Sequence, residues 1–264
     1  MGNSSSNKEE EATMAQTYNQ APLAVGSRGP VSAEEVKMVA EKLAKLVEAH
    51  QLKLPERAFM EEARWRFGAK PDYTLADYAW AVGKKANHVD GSLDTVVENL
   101  VKSWEMERSH KLDVEAHQSI APGFKISANG GKVYTSDEAQ EVGNYNVLLD
   151  GSKTWEPVSW EKSHDLFHDA FAAFPWEVLK VFSGPPLVAF AWRHWGKFSP
   201  LYGFAVAQVN NDLKLEDVKV YYDADTFLDA LRGTATSTAT ALVGDKKPWL
   251  ETKTNKCPFA AIFG

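Results

Sequence analysis

The sequence predicts an α+β fold in which helices cover one face of a curved antiparallel sheet. Helical periodicity dominates the chain before Pro175, whereas period-two alternation of β-branched and aromatic residues dominates after it. Short links that contain Gly, Pro or Asn join the predicted strands, which is typical of an antiparallel meander. A sheet that curls around its helices leaves a pocket open at one end.

Amphipathic patterns predict the helices. Apolar residues recur at helical spacing from Ser32, the expected cap, to His50. The strongest pattern runs from Ser92 to about Lys111, where an apolar stripe that includes Trp104 should pack across the sheet. Further helices are predicted over 55–67, 73–85, 135–143, 159–174 and 226–231.

Four strands are predicted, over 177–182, 187–195, 202–209 and 218–222. The second strand contains most of AFAWRHWGKF (189–198), which places two tryptophans, an arginine and a histidine within four positions. Because side chains alternate along a strand, Phe190, Trp192 and His194 share one face, while Arg193 and Trp195 share the other. Either face is a candidate for the concave side of the sheet.

Charge and cysteine content exclude several classes of protein. The formal net charge is -7 with a pI near 5.6, and no segment supplies the basic face that nucleic acid requires. The single cysteine, Cys257, excludes an intramolecular disulfide and fits a reducing compartment, so we expect a cytoplasmic protein. No apolar run approaches the ~20 residues that a membrane-spanning helix needs.

The first six residues, MGNSSS, match the N-myristoylation pattern, with Gly2 after the initiator methionine and Ser6 at the required place. One myristoyl chain binds membranes weakly and reversibly, and the acidic run 9–11 offers no polybasic second signal. Acylation of Gly2 would therefore give at most transient, peripheral membrane contact. The alternative is that this start is an ordinary disordered tail.

The sequence lacks the signatures of common cofactor and metal enzymes. It contains no phosphate-cradling glycine loop, no dinucleotide fingerprint and no Ser or Cys nucleophile motif. His164 and His168 have the i, i+4 spacing of zinc ligands, but no third ligand is evident, and they also fit the polar edge of an apolar helical stripe. We therefore expect no cofactor and no metal.

A resemblance to a known family runs through five stretches in order: WRFGAKPDY (65–73), GSLDTVVENLVKSWEMERSHK (91–111), GNYNVLL (143–149), AFPWEVLKVFSGPPLVAFAWRHWG (173–196) and YYDADTFLDAL (221–231). The chain resembles the plant pathogen-related proteins, intracellular relatives of the SnoaL-like polyketide cyclases within the nuclear-transport-factor-2-like superfamily. The resemblance implies a cone of helices and a strongly bent sheet around an apolar cavity. It also implies a link to stress or defence, without an established biochemical activity.

The resemblance defines the expected domain organisation. It covers residues 63–233, which we expect to form the SnoaL-like domain. Residues 32–62 form a helical extension before it, residues 1–31 read as a flexible tail, and residues 234–264 read as a mostly flexible C-terminal tail.

The candidate ligand-binding residues are aromatic or charged side chains expected near the cavity: Trp104, Glu107, Trp192, Arg193, Trp195 and Tyr221. Arg193 and Trp195 would line it only if their face of the strand is the concave one. Glu107, from the long helix, could meet His194 or Arg193 across the cavity, or could instead form a buried structural ion pair.

His194 and Asp223 are the candidates for acid/base chemistry. The resemblance implies one pocket aspartate that acts without cofactor or metal, and burial would raise the pKa of such a carboxylate toward the range that proton abstraction needs. Asp223 shares its strand face with Tyr221 and is the preferred pocket carboxylate, whereas Asp225 suits the N-cap of the last helix. His194 can accept or donate a proton near neutral pH.

These observations favour an intracellular protein that binds a small apolar or aromatic molecule. One alternative is a cofactor-free cyclase or isomerase that uses Asp223 or His194. Another is a protein-interaction module, which predicts an exposed apolar patch on the sheet and oligomers such as a homodimer. Whether the protein is an enzyme stays open at this point.

Overall fold

The computed structural model describes residues 32–61, 63–160, 162, 163, 167, 173, 175–195 and 200–231. They form the α+β architecture that the sequence predicts. The helices are α1 (Ala33–His50), α2 (Thr74–Gly83), α3 (Leu93–His110), α4 (Ser136–Val142), α5 (Asn144–Leu149) and α6 (Ala224–Leu231), with a 3-10 turn at Val114–Ala116. The strands are β1 (Ile120–Ala128), β2 (Tyr134–Thr135), β3 (Trp176–Ser183), β4 (Leu187–His194), β5 (Leu201–Val209) and β6 (Leu215–Tyr222).

Local capping explains several helix boundaries. Ser32 and Glu35 form a reciprocal capping box at the start of α1, and Thr135 and Glu138 form another at the start of α4. The Ser92 side chain accepts a hydrogen bond from the backbone of the first turn of α3. The predictions of these three helix starts are confirmed.

The predicted helix over 55–67 is wrong. The described residues of this stretch are not helical, and their backbone donors bond to α3 rather than to one another. Ala58 N donates to Ser103 Oγ over 2.9 Å, and Arg66 N donates to the carbonyl of His110 over 2.7 Å. These tertiary hydrogen bonds replace the intrahelical bonds that the apolar spacing alone would favour.

The sheet has the strand order β2-β1-β6-β5-β4-β3 and is curved and unclosed. The predicted antiparallel meander from β3 to β6 is confirmed. Strand β1 was not predicted from the sequence, and it pairs parallel with β6, which makes the sheet mixed. Irregular registers interrupt the β1–β6, β3–β4 and β5–β6 pairings, and such irregularities bend strands.

Helix α3 covers the outer edge of β3 with one stripe of polar side chains. Asp94 accepts a hydrogen bond from Val181 N over 2.8 Å, and Glu98 accepts one from Val178 N over 3.1 Å. One turn further, Lys102 Nζ donates to the carbonyl of Trp176 over 2.8 Å. The spacing of four residues keeps all three on one helix face, so they satisfy an otherwise unpaired strand edge and fix α3 against the sheet.

Candidate functional site

A cavity of about 320 Å³ lies between the sheet and α3. Its strand wall consists of residues that point to the same side of the sheet: Phe190, Trp192 and His194 from β4, Leu201, Ala205, Ala207 and Val209 from β5, and Leu215, Val218, Val220 and Tyr222 from β6. Small side chains at Ala205 and Ala207 cannot reach the facing helix. Space therefore remains in the middle of an otherwise apolar core.

The structure places Phe190, Trp192 and His194 on the cavity face of β4 and Arg193 on the other face. Arg193 Nε lies 2.9 Å from a carboxylate oxygen of Glu177, its guanidinium stacks on Trp195 at 4.0 Å, and Nη2 donates to the carbonyl of Gly83. Arg193 and Trp195 therefore lie outside the cavity, which corrects their candidate role as ligand-binding residues. They join the end of α2 to the sheet.

Trp192 extends from β4 across its cross-strand partner Gly203 on β5. A Cβ at position 203 would overlap the indole ring, so the absence of a side chain allows the ring to lie against the strand. On its other side the indole meets the ring of Tyr222 edge to face, with 5.6 Å between the centroids. The ring pair closes one end of the strand wall.

His194 is buried on the cavity wall in a neutral form. Its Nδ1 lies 2.9 Å from the carbonyl of Pro175, and because a carbonyl can only accept, Nδ1 carries the proton and Nε2 is the acceptor nitrogen. Burial lowers the pKa of His194 from 6.5 to about 3, against the opposing effect of the Pro175 bond. A base this weak is poorly matched to proton transfer near pH 7, so the side chain is better suited to accept a hydrogen bond.

We expect acid to destabilise the protein in part through His194. The unfolded chain takes up a proton near pH 6.5 that the folded chain refuses until about pH 3, so this contribution to stability is complete above pH 6.5 and is lost as pH falls. The His194→Asn variant keeps a donor for Pro175 but should flatten the fall in free energy of unfolding between pH 6 and 4.5, by up to about 1.4 kcal/mol per pH unit. Urea denaturation across this range measures it.

Exposed His50 on α1 provides the matched control, because His50→Asn should leave the pH dependence nearly unchanged. Carboxyl groups such as Glu98, whose burial raises its pKa, act in the opposite direction but equally in all three proteins. Parallel curves for the wild type and His194→Asn would contradict the prediction.

The α3 wall of the cavity carries Val97, Leu100, Val101, Trp104, Glu105 and Arg108. These positions recur at i, i+3 and i+4 and so share one helix face. Glu107, one position before Arg108, points away from this face, and its placement at the cavity is corrected. Its carboxylate binds Lys111 Nζ at 2.9 Å instead, which is the buried ion pair that the sequence analysis kept as an alternative.

Tyr221 and Asp223 also lie outside the cavity. Tyr221 is 41% exposed on the opposite sheet face, whereas its neighbour Tyr222 points inward. Asp223 accepts hydrogen bonds from Thr226 N at 3.0 Å and Thr226 Oγ1 at 2.7 Å, which lower its pKa. Asp223 is therefore the N-cap of α6 and not a pocket carboxylate, because the strand pleat and the helix start place it at the surface.

Glu105, which was not predicted as a site residue, is the carboxylate on the α3 wall of the cavity. Tyr73 Oη donates to Glu105 at 3.3 Å, and Ser109 is also hydrogen-bonded to it. Asn144 Nδ2 donates to Ser109 Oγ at 3.2 Å, while Asn144 Oδ1 accepts from Arg108 Nε at 2.8 Å. We call these five residues the polar wall, a continuous chain of hydrogen bonds from Tyr73 to Arg108.

Burial dominates the electrostatics of the polar wall. It raises the pKa of Glu105, while Arg57 and the bonds from Ser109 and Tyr73 oppose the rise. The adjacent His110 has its pKa lowered to about 4 by burial, and its Nδ1 lies 3.4 Å from Tyr73 Oη. Residues 105, 108 and 109 share a helix face, so their spacing could have predicted part of the polar wall. Nothing in the local sequence predicts that residues 73 and 144 meet them.

The segment predicted as a separate helical extension contributes to the cavity. Val36 from α1 and Arg57 both line it, and Arg57 is held by two hydrogen bonds to Asp77 and stacks on the ring of Tyr73 at 3.7 Å. The lining also includes the exposed Asp72. The cavity therefore reaches the surface beside this N-terminal segment.

Several predicted features lie outside the described residues, namely Gly2, His164, His168, Cys257 and the two tails. Within the described part of the chain, no group of three or more His, Cys, Asp or Glu side chains could hold a metal ion. In that same part, each helix is too short or too polar to traverse a lipid bilayer.

Fold and cavity together define an α+β protein with an apolar pocket enclosed by a curved sheet and helices. A pathogen-related protein of Hordeum vulgare is 31% identical over an alignment of 201 positions that covers 67% of this chain and 86% of the relative. The chain belongs to the pathogen-related protein family, as its motifs predict. No protein-family model matches it.

Solved structures show partial similarity to the chain. A de novo designed protein with the NTF2 fold has 10% identity and a TM-score of 0.33, covering 56% of this chain and 98% of its own. A steroid delta-isomerase from Pseudomonas aeruginosa has 9% identity and a TM-score of 0.31, covering 59% and 98% respectively. An NTF2-like protein of unknown function from Cytophaga hutchinsonii has 11% identity and a TM-score of 0.28, covering 49% and 92%.

Proposed function

We propose that the protein binds a small hydrophobic molecule in the cavity between α3 and the sheet. The observation that carries this proposal is a space of about 320 Å³ whose strand wall is almost entirely apolar and aromatic. Pockets of this size, with few polar groups, are typical of small-molecule sites. Trp104 from α3 and Trp192 from β4 supply aromatic surface to the cavity.

Filling the cavity should remove binding. Ala207 is buried at the middle of the strand wall, so Ala207→Phe would occupy the space that the ligand needs. We expect its affinity for a neutral apolar probe such as decanamide to fall at least about tenfold relative to wild type, a loss of about 1.4 kcal/mol, by isothermal titration calorimetry. Circular dichroism verifies that the variant is folded.

The matched control is Phe204→Leu, in the same strand but on the exposed face, which should bind decanamide like the wild type. If Ala207→Phe bound decanamide as tightly as the wild type, the ligand would bind elsewhere and the proposal would be contradicted. Native mass spectrometry of protein from its own cells, compared with the denatured chain, would reveal a bound natural ligand.

Acid/base catalysis is the second candidate, and Glu105 favours it. A carboxylate with a raised pKa in a cavity whose strand wall is apolar suits proton abstraction next to a carbonyl, and Tyr73 holds its orientation. In this role Glu105 replaces Asp223, which lies outside the cavity. Protein-dependent deuterium incorporation next to the carbonyl of 2-decanone, lost in Glu105→Gln, tests the assignment, and a rate equal to buffer alone would count against it.

An exposed patch on the outer sheet face favours the interaction alternative. Phe182, Phe204 and Tyr221 are 59%, 37% and 41% exposed; the rings of Phe182 and Phe204 lie 5.9 Å apart, and Tyr221 is the cross-strand partner of Phe204. A homodimer through this face would bury all three. Sedimentation velocity over a range of concentrations tests it, and a monomer throughout would exclude it.

The proposal includes a role in stress or defence, which the family resemblance implies, and a cytoplasmic location, which the single cysteine favours. Gly2 acylation would add transient membrane contact. The mass of the denatured chain from its own cells decides this point, because a myristoyl group adds a fixed increment that an unmodified N-terminus lacks.

A further inference from the structure

Arg108 is a buried cation on the cavity wall with an incomplete set of partners. The residue is 2% exposed, and its Nε donates to the neutral amide of Asn144 at 2.8 Å. Its Nη1 is buried and has no hydrogen-bond partner. Among the salt bridges of the described residues, none includes Arg108.

The other cations that line the cavity differ in this respect. Arg57 is paired with Asp77 at 2.9 Å. Lys102 donates to the carbonyl of Trp176, and although burial lowers the pKa of Lys102, the negative charge of Glu98 opposes that effect. Their charges are compensated by the protein itself. Arg108 is the lining cation of the described chain that is left without an acidic partner.

The surroundings of Arg108 make its charge costly. Burial, assisted by the nearby guanidinium of Arg66, lowers the pKa of Arg108 to about 10. Arg108 therefore still carries its charge at neutral pH. Burying an unpaired charge is strongly unfavourable, so this site gains stability from any anion that reaches it.

A second donor on the same wall is also unused. Trp104 lies one helical turn before Arg108 and lines the cavity, and its indole Nε1 is buried without a hydrogen-bond partner. Indole N–H and guanidinium groups can only donate. The α3 wall of the cavity thus carries two donor groups that a neutral hydrocarbon would leave unsatisfied.

We propose that the ligand is an amphipathic monoanion, an apolar chain or ring system that ends in a carboxylate bound by Arg108. This inference rests on the proposed function, because it names the chemical class of the molecule that the cavity holds. A planar carboxylate matches the guanidinium fork, and one carboxylate balances one cation. The apolar body then lies between Trp192 and the alanines of β5.

Decanoate and decanamide, which differ in charge but little in shape, provide the test. Isothermal titration calorimetry at pH 7.5 should show that the wild-type protein binds decanoate at least about tenfold more tightly than decanamide. The Arg108→Met variant should lose this preference while it still binds decanamide. Without ligand, it should melt no lower than the wild type, because an apolar side chain replaces an uncompensated charge.

The Asn144→Asp variant keeps the proposal testable even if Arg108→Met fails to fold. It is nearly isosteric and places a carboxylate where the amide oxygen now accepts from Arg108 Nε, so it should compensate the charge internally. We expect decanoate affinity to fall about tenfold and decanamide affinity to stay within about twofold of wild type.

The outcomes separate this inference from the proposed function. Equal binding of decanoate and decanamide by the wild type, unaffected by either variant, would overturn carboxylate recognition and leave the hydrophobic site in place. A decanoate preference that persists in Arg108→Met would place the anion at another cation and also overturn the assignment. Absence of binding by both probes would overturn the hydrophobic site as well.

Discussion

We expect Glu107→Ala to lower the free energy of unfolding by about 3 to 5 kcal/mol, the range for breaking a buried ion pair. Glu107 is fully buried and accepts hydrogen bonds from Lys111 Nζ, Gln118 N, Ser119 N and Ser119 Oγ, at 2.5 to 2.9 Å. Removing the carboxylate leaves a buried ammonium without its counter-charge, although Lys111 Nζ keeps a bond to the carbonyl of Ala116 at 3.1 Å, and leaves two backbone donors without their acceptor. Urea denaturation at pH 7 measures the loss.

Two comparisons identify the cause of that loss. Glu107→Gln retains acceptor oxygen but no charge, so it should lose less stability than Glu107→Ala. Glu41→Ala, at an exposed position on α1, should change stability by less than about 0.5 kcal/mol. A loss below about 1 kcal/mol for Glu107→Ala would show that Lys111 finds another partner and would contradict the structural role.

The second large effect is expected at Gly203, where Gly203→Ala should cost about 1 to 3 kcal/mol through overpacking. An alanine in a strand is normally no worse than glycine, but here the new Cβ would overlap the Trp192 indole. The ring would have to leave its position on the cavity wall. The variant should therefore also weaken binding of decanamide, as measured by calorimetry.

A double-mutant cycle tests the steric origin of this effect. Trp192→Phe removes the overlapping ring atoms and creates room for the Cβ at 203. The double variant should consequently be more stable than the sum of the two single changes predicts, by at least about 0.5 kcal/mol. Strict additivity would mean that the cost of Gly203→Ala arises elsewhere.

Features encoded over a few residues were the ones that the sequence predicted well. The helix starts at Ser32 and Thr135 and the alternation along β4 depend on neighbouring positions, and the structure agrees with both. The stretch 55–67 has equally regular apolar spacing, yet its backbone bonds to α3. Strand β1 contains Pro122 and Gly123 as its third and fourth residues, which hides the alternation, and its partner β6 is distant in sequence.

The candidate site was predicted only in part, because local sequence patterns give the positions of side chains only relative to one another. Alternation separated Trp192 and His194 from Arg193 and Trp195, but it could not say which pair faces the cavity. A shift of one position moved the inward aromatic from Tyr221 to Tyr222, and another moved the helical charge from Glu107 to Arg108. Alternation and helical spacing show which side chains share a face, but not which face points into the cavity. Both errors came from choosing the wrong inward face.

By itself the sequence determined the family, the α+β class, the antiparallel meander from β3 to β6 and the relative faces of side chains, because motifs and periodicity are local properties of the chain. Only the tertiary structure decided that Tyr73, Glu105 and Asn144 meet Arg108 at one end of an apolar cavity. These residues come from three separate segments, and their meeting depends on how α3 packs on the sheet. An unpaired charge can be recognised only when every neighbour of the buried group is known.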